Sequence, residues 1–299
     1  MDLALKITIG LMLAVAGATY GVASSGIFTI GVLLAAVGVF GIPHGAFDYA
    51  VAKKSGVITS KLSAIVFLFA YAGLAAGSFA VWMLYPRVGL VVFLALSVWH
   101  FSHDWIGRGG LYRSAMALLV VFGPLVTWPE SVLYYFNVLM FEESIAASPQ
   151  SILVLGTLIG ILWSTACGLK LVRRRWHDLC EGVVLLLGVI LFEPLIFFAI
   201  YFCGLHSVRS MTHLRKQLGG TLPVFIARGM LPTVATYALG FAVYAMIPSI
   251  SGSEGLVRVI FIGLFALTVP HLLLDTCIDA LRYAGVRKCS DDTAAPISV

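Results

Sequence analysis

Charge is the scarcest thing in this sequence: Asp, Glu, Lys and Arg together make up 11% of its 299 residues. A water-soluble domain carries about 25%. So few charges cannot cover a water-facing surface, which excludes an ordinary soluble protein. Cysteine is sparse too. Cys167, Cys180, Cys203, Cys277 and Cys289 show no CxxC and no paired spacing. That excludes a disulfide framework, and they read as small packing residues. The opening stretch from Met1 to Ser25 lacks the basic leading region of a cleaved signal, so it reads as a first helix that is kept. The net charge of +5 and isoelectric point near 9.0 do not point to nucleic acid. The basic residues sit between apolar runs, where membrane topology accounts for them.

What remains is apolar, at 60% hydrophobic residues and a mean hydropathy of +1.01. A spanning helix needs about 20 mainly apolar residues. The chain offers ten such stretches, roughly 4–24, 27–50, 62–85, 88–107, 111–128, 150–170, 179–193, 194–213, 230–249 and 256–280. The seventh and eighth are joined only by Glu193-Pro194, and Pro is well placed at a helix start. The stretch 129–149 reads as an interfacial or re-entrant helix. With the N-terminus in the cytoplasm, all of the 19 Lys and Arg residues except Arg87 and Arg258 fall on the inside. Cytoplasmic loops are rich in such residues. The expected fold is therefore all-α: a polytopic integral membrane helical bundle of about ten transmembrane helices, both termini cytoplasmic. It forms one transmembrane domain over 1–285, with a polar, disordered tail at 286–299. The expected location is a multi-pass protein of a bacterial or archaeal inner membrane, in contact with membrane lipid.

Seven histidines punctuate these spans. His177 lies in the basic loop Arg173-Arg174-Arg175-Trp176-His177 and reads as a surface residue. His44, His100, His206 and His271 lie in spans two, four, eight and ten, all running from outside to inside. Counted from the outer ends they are 17, 12, 12 and 15 residues deep. At 1.5 Å per residue they agree to within about 8 Å. Four helices thus place an imidazole in one layer. An ionisable side chain at that depth is costly and faces a bundle interior or cavity. A shared layer of imidazoles is a candidate metal site, and imidazole suits iron, zinc and copper alike. A lone histidine there would more often be a hydrogen-bonded packing residue.

Local patterns add detail. Pro43-His44-Gly45-Ala46-Phe47-Asp48 and Pro270-His271-Leu272-Leu273-Leu274-Asp275 share Pro-His-x-x-x-Asp. Positions i and i+4 share a helix face. Asp48 and Asp275 are thus candidates to hold their own histidine or a neighbouring ligand, as carboxylates behind metal-bound imidazoles do. The bland alternative is that both merely cap helix ends. In Trp99-His100-Phe101-Ser102-His103-Asp104-Trp105, His103 is a substitute ligand. His213, seven residues after His206, is another. Arg209 and Arg215 mark the inner membrane surface.

With these motifs in view, the chain resembles the Brp/Blh family of membrane beta-carotene 15,15'-dioxygenases. The resemblance rests on Gly41-Ile42-Pro43-His44-Gly45-Ala46-Phe47-Asp48, Trp99-His100-Phe101, Tyr201-Phe202-Cys203-Gly204-Leu205-His206-Ser207-Val208-Arg209 and Leu267-Thr268-Val269-Pro270-His271. It implies cleavage of the central double bond of beta-carotene by O2 to two retinal molecules, at Fe(II) held by histidines. His44, His100 and His206 match family ligands. Ser210 stands where the family pattern has a further histidine, and His271 is the expected fourth ligand from its depth. Ser102 departs from the family's Gly after His-Phe. A lipophilic carotenoid entering from the bilayer would need an apolar tunnel, for which Phe47, Trp99, Phe101, Phe197, Phe198, Tyr201 and Phe202 are candidates. Two other readings compete: a two-metal membrane oxidase with histidine boxes, and a transporter whose His/Asp pairs relay protons or metal ions.

Overall fold

The structure, a computed structural model, describes residues 2–19, 31, 36–38, 45–141, 147–246 and 252–293. Among the described residues every regular element is helical. The chain runs through α1 (Leu3–Thr19), α2 (Asp48–Lys54), α3 (Lys61–Leu84) and α4 (Pro86–Ser102), which tightens into a 3-10 turn (His103–Trp105). It continues through α5 (Gly110–Thr127), α6 (Pro129–Met140), α7 (Pro149–Val172) and α8 (Trp176–Leu191). Then come α9 (Pro194–Ala199), a π-helical segment (Ile200–His206), α10 (Ser207–Leu218), α11 (Leu222–Met246) and α12 (Gly252–Thr293).

The helix starts follow from local chemistry. α4, α6, α7 and α9 each begin with proline in the first turn, where a missing N–H costs nothing. Ser60 caps α3 by accepting from the Ser63 N–H, and Ser63 answers with its own hydroxyl. Glu193 caps α9 by accepting from the Leu195 N–H at 3.0 Å.

Seven described helical stretches are long and apolar enough to cross a membrane: Lys61–Leu84, Pro86–Trp105, Gly110–Thr127, Pro149–Val172, Pro194–Leu218, Leu222–Met246 and Glu254–Leu281. Of the other three expected spans, α1 has 17 described residues and α8 has 16, fewer than the about 20 of a typical crossing. The expected 27–50 span falls mostly outside the described residues. The expected interfacial stretch forms α6, a 12-residue helix. The chain past Arg287, expected to be a disordered tail, is helical as far as Thr293.

Packing sorts the spans into an inner and an outer set. α3 and α11 present large apolar side chains outward, including Leu62, Phe69, Leu231 and Phe241, as a lipid-facing helix does. The α9–π–α10 span is the most enclosed, and all seven residues of its π segment are buried. Lipid tails are as apolar as leucine, so close packing and internal hydrogen bonds hold such helices together. Two contacts show the kind of fit. A Cβ on Gly204 would come within 3.0 Å of Leu11 and 3.4 Å of the Thr8 backbone, so glycine lets α1 lie against the π segment. Trp82 is fully buried over Gly89, where a Cβ would meet its ring at 2.8 Å, and its indole N–H donates to the Leu139 carbonyl at 3.0 Å. A separate, smaller core on α2, α11 and α12 gathers Phe47, Val51, Phe225, Leu274 and Ile278.

Candidate metal centre

Imidazoles from three separate elements adjoin: His100, from α4, stands beside both His206, from the end of the π segment, and His271, from α12. His100 Nε2 and His206 Nε2 stand 3.1 Å apart. The ring centroids of His100 are 4.8 Å from His206 and 5.5 Å from His271. Two imidazole nitrogens aimed at each other share either one proton or one cation. Nitrogens each about 2.1 Å from a common ion, at a right angle, would themselves stand about 3 Å apart.

Each of two rings is held from behind by a carboxylate. His206 Nδ1 faces Asp104 at 3.1 and 3.2 Å. His271 Nδ1 faces Asp48 at 2.8 and 3.0 Å. An ionised carboxylate only accepts, so Nδ1 carries the proton in both rings and the lone pair is on Nε2. A tyrosine completes each arrangement. The Tyr201 hydroxyl donates to Asp104 at 2.8 Å, and the Tyr71 hydroxyl donates to Asp48 at 2.8 Å. The result is two Tyr–Asp–His relays, Tyr201–Asp104–His206 and Tyr71–Asp48–His271, each presenting Nε2 at its end. Carboxylate-backed imidazoles of this tautomer are what a bound metal ion requires. The chemistry of these donors is of the kind a divalent transition metal takes, and the His100 and His206 nitrogens are close enough to share one ion.

The π segment explains how one relay forms. A π turn closes i→i+5 bonds and commonly marks a functional site. Tyr201 and His206 are five apart, and both reach the same Asp104. The 3-10 turn after α4 carries that aspartate. The His206 ring is held flat by Phe202, stacked at 5.5 Å, and edge-on by Phe101 at 5.0 Å.

Beside the imidazoles lies a cavity of about 180 Å³. His100, His271, Asp48 and Tyr71 line one part of it, and apolar side chains including Phe67, Phe93, Phe101, Phe198, Phe202 and Leu264 line most of the rest. A largely apolar pocket with a few convergent polar groups is the usual form of a small-molecule site.

Among the described residues, the ligand-type groups whose atoms all lie within 4.8 Å of one another are Asp2, His177 and Glu181. Their carboxylates are already engaged. Glu181, fully buried, accepts from Trp105 Nε1 at 2.6 Å, Arg108 at 2.7 Å and Arg209 at 2.8 Å. Arg209 also donates to Asp2 at 2.7 Å, and His177 Nε2 accepts the Asp2 N–H at 3.2 Å. Two guanidinium groups already supply the positive charge an ion would bring, so this is an ion-pair network rather than a second metal centre.

A profile of the beta-carotene 15,15'-dioxygenase family matches residues 10–279. The chain belongs to that family. A protein from an uncultured marine bacterium, 66A03, named beta-carotene 15,15'-dioxygenase, is 28% identical over 254 residues, covering 81% of this chain and 90% of its own. A Halobacterium salinarum protein named probable beta-carotene 15,15'-dioxygenase Blh is 26% identical over 299 residues, covering 84% of each. No solved structure matches the chain.

In this member of the dioxygenase family the expected site residues fall as follows. His100 adjoins both His206 and His271. His44 lies outside the described residues. Asp48 holds not the histidine of its own motif but His271, from the other Pro-His-x-x-x-Asp motif. Asp275 sits 3.6 Å from His271 on its Nε2 side, beyond hydrogen-bond range, with its side chain 53% exposed. It is therefore not the group that sets the His271 tautomer. The substitute ligands sit apart. His103 is exposed, and its Nδ1 donates to the Trp99 and His100 carbonyls; His213 is exposed on α10.

Of the expected tunnel wall, Phe101, Phe198 and Phe202 line the cavity. Phe47 does not, because it stacks on Phe225 at 4.3 Å in the smaller core. Trp99 is 43% exposed and packs on His103. Tyr201 and Phe197 lie behind the site, where Tyr201 bonds Asp104. Asp104 and Tyr71 were not anticipated. Asp104 had a signal: His100-x-x-x-Asp104 repeats the spacing of His44–Asp48 and His271–Asp275. Tyr71 had none.

Proposed function

We propose that this protein cleaves the central 15,15' double bond of beta-carotene with O2 to give two molecules of retinal, at a non-haem Fe(II) held by His100, His206 and His271. His44 is the fourth ligand by its sequence position. The observation that carries the reading is the pair of relay-held imidazoles meeting His100 beside an apolar cavity. When bound, the iron supplies activation of O2 for attack on the polyene. The double bond is cut, and each of its two carbons becomes an aldehyde bearing one oxygen atom.

The chain's own residues do the rest. Asp104 and Asp48 keep the Nδ1 protons of His206 and His271 in place, so each ring offers Nε2 without turning. Tyr201 and Tyr71 hold those carboxylates in turn. Phe101, Phe198 and Phe202 give the polyene an apolar wall and keep bulk water from the reacting carbons. The substrate is a lipophilic carotenoid drawn from the bilayer of a bacterial or archaeal inner membrane.

The test is expression in bacteria that accumulate beta-carotene. The wild type bleaches the orange pigment and produces retinal, and His100→Ala and His206→Ala leave the pigment intact. Unchanged pigment with the wild type, or full bleaching by both variants, overturns the proposal. A proton or metal-ion transporter built on the same His/Asp pairs would leave the carotene unchanged, so one assay separates the two readings.

A further inference from the structure

The residues lining the cavity differ in exposure. Tyr49 and Leu68 are 38% and 53% exposed, and Phe67 and Tyr71 also line it. His100 and His271 stand in the same lining. So do Phe93, 8% exposed, and Leu264. Phe93 is seven residues before His100 on α4, and Leu264 is seven residues before His271 on α12. Positions seven apart share a helix face and lie about 10 Å apart along the axis. Two helices thus place a large apolar side chain at the same height beyond the histidines. Between the two levels α4 contributes Ser97 and α12 contributes Thr268 and Leu267.

The level of Phe93 and Leu264 is also braced. Phe93 packs edge-on against Trp82 at 5.9 Å and Phe265 at 6.2 Å. Trp82 is fully buried and tied to the Leu139 carbonyl. A side chain backed in this way does not swing aside for a ligand, since a close-packed interior transmits strain rather than absorbing it.

We infer that Phe93 and Leu264 form a stop that fixes how far a polyene passes the histidines, and so select which double bond is cut. The molecule enters past the exposed Tyr49 and Leu68, Ser97 and Thr268 leave room for one arm of it, and the braced Phe93 level arrests that arm. This rests on the carotenoid-cleaving reading above and adds the residues that determine where the cut falls. Shrinking the stop lets the polyene travel deeper and brings an off-centre bond to the histidines. The bond broken and the two carbonyl groups formed are otherwise the same.

Phe93→Ala and Leu264→Ala, each expressed in carotene-accumulating bacteria, test this by the chain length of the aldehydes recovered. The wild type yields retinal alone. Each variant is expected to lose retinal as the main product and to yield an unequal pair of aldehydes, one longer and one shorter than retinal. Total pigment loss continues. Variants that accumulate normally and still release only retinal overturn the stop. So does lower total cleavage with unchanged product length, which is what a merely structural role would give. If Phe93→Ala fails to accumulate, Leu264→Ala, which lies outside the Trp82 brace, decides alone. A wild type that yields no retinal overturns the underlying reading of function instead.

Discussion

The two Tyr–Asp–His relays have the same composition and opposite surroundings. Tyr201, Asp104 and His206 stand away from the cavity, with His206 and Asp104 side chains only 5% and 7% exposed. Behind them lies the ion-pair network of Asp2, Arg108, Glu181 and Arg209. Tyr71, Asp48 and His271 line the cavity itself. One relay is therefore built into the protein core, and the other forms part of the wall a substrate would touch. The first sets geometry; the second must hold its ring while facing a changing occupant. Any treatment that strikes the two unequally measures this difference.

The largest separation is expected in stability, behind the closed relay. Glu181→Gln removes a fully buried charge from between two arginines. Leaving buried charge uncompensated costs about 3–5 kcal/mol. The thermal unfolding midpoint in detergent should fall clearly, whereas Asp275→Asn, half exposed beside the open relay, should barely move it. Next come the relay carboxylates. Asp104→Asn and Asp48→Asn should each lower iron affinity or retinal formation about 10- to 100-fold, the usual cost of losing the group behind a ligand. Equal stability losses in both would erase the distinction between the relays. A smaller effect is expected at the tyrosines. Tyr201→Phe leaves a buried carboxylate short of a donor, costing about 1–3 kcal/mol. Tyr71→Phe, on the cavity wall, should act more on substrate affinity than on unfolding.

The smallest effect concerns pH. Burial pushes the Asp2 carboxyl upward, but the Leu5 N–H and Arg209 outweigh it and hold the group below its ordinary value. A carboxyl lowered in the folded state contributes stability above the unfolded value of about 4. That contribution is lost as pH falls through the lower folded value. Acid unfolding followed by circular dichroism should be shallower in Asp2→Asn than in the wild type.

Much of this was legible in the sequence. Hydropathy marked the spans because lipid tolerates so few unpaired polar groups. Helical rise alone put His100, His206 and His271 at a common depth, and in the folded chain His100 adjoins each of the other two. The partners of the imidazoles were harder to read. The i+4 rule places Asp48 near its own motif's helix face, yet its carboxylate crosses to His271 on α12. That choice depends on how helices far apart in sequence pack, which no local spacing contains. The π segment was hidden for the same reason: nothing in Ile200–His206 forbids an ordinary α turn, and its contacts with Asp104 and with α1 at Gly204 come from residues distant in sequence. Phe47 and Phe101 look alike in the sequence, but one fills a separate core and the other lines the cavity. Asp104 could have been found, because its spacing from His100 repeats that of the two aspartates already singled out.

The central claim is that these imidazoles hold one ion, and metal analysis of purified protein tests it most directly. The account predicts stoichiometric iron in the wild type, and its loss in a protein carrying His100→Ala, His206→Ala and His271→Ala together, with the helical circular-dichroism signal kept. Iron retained at the wild-type level in that triple variant would contradict it.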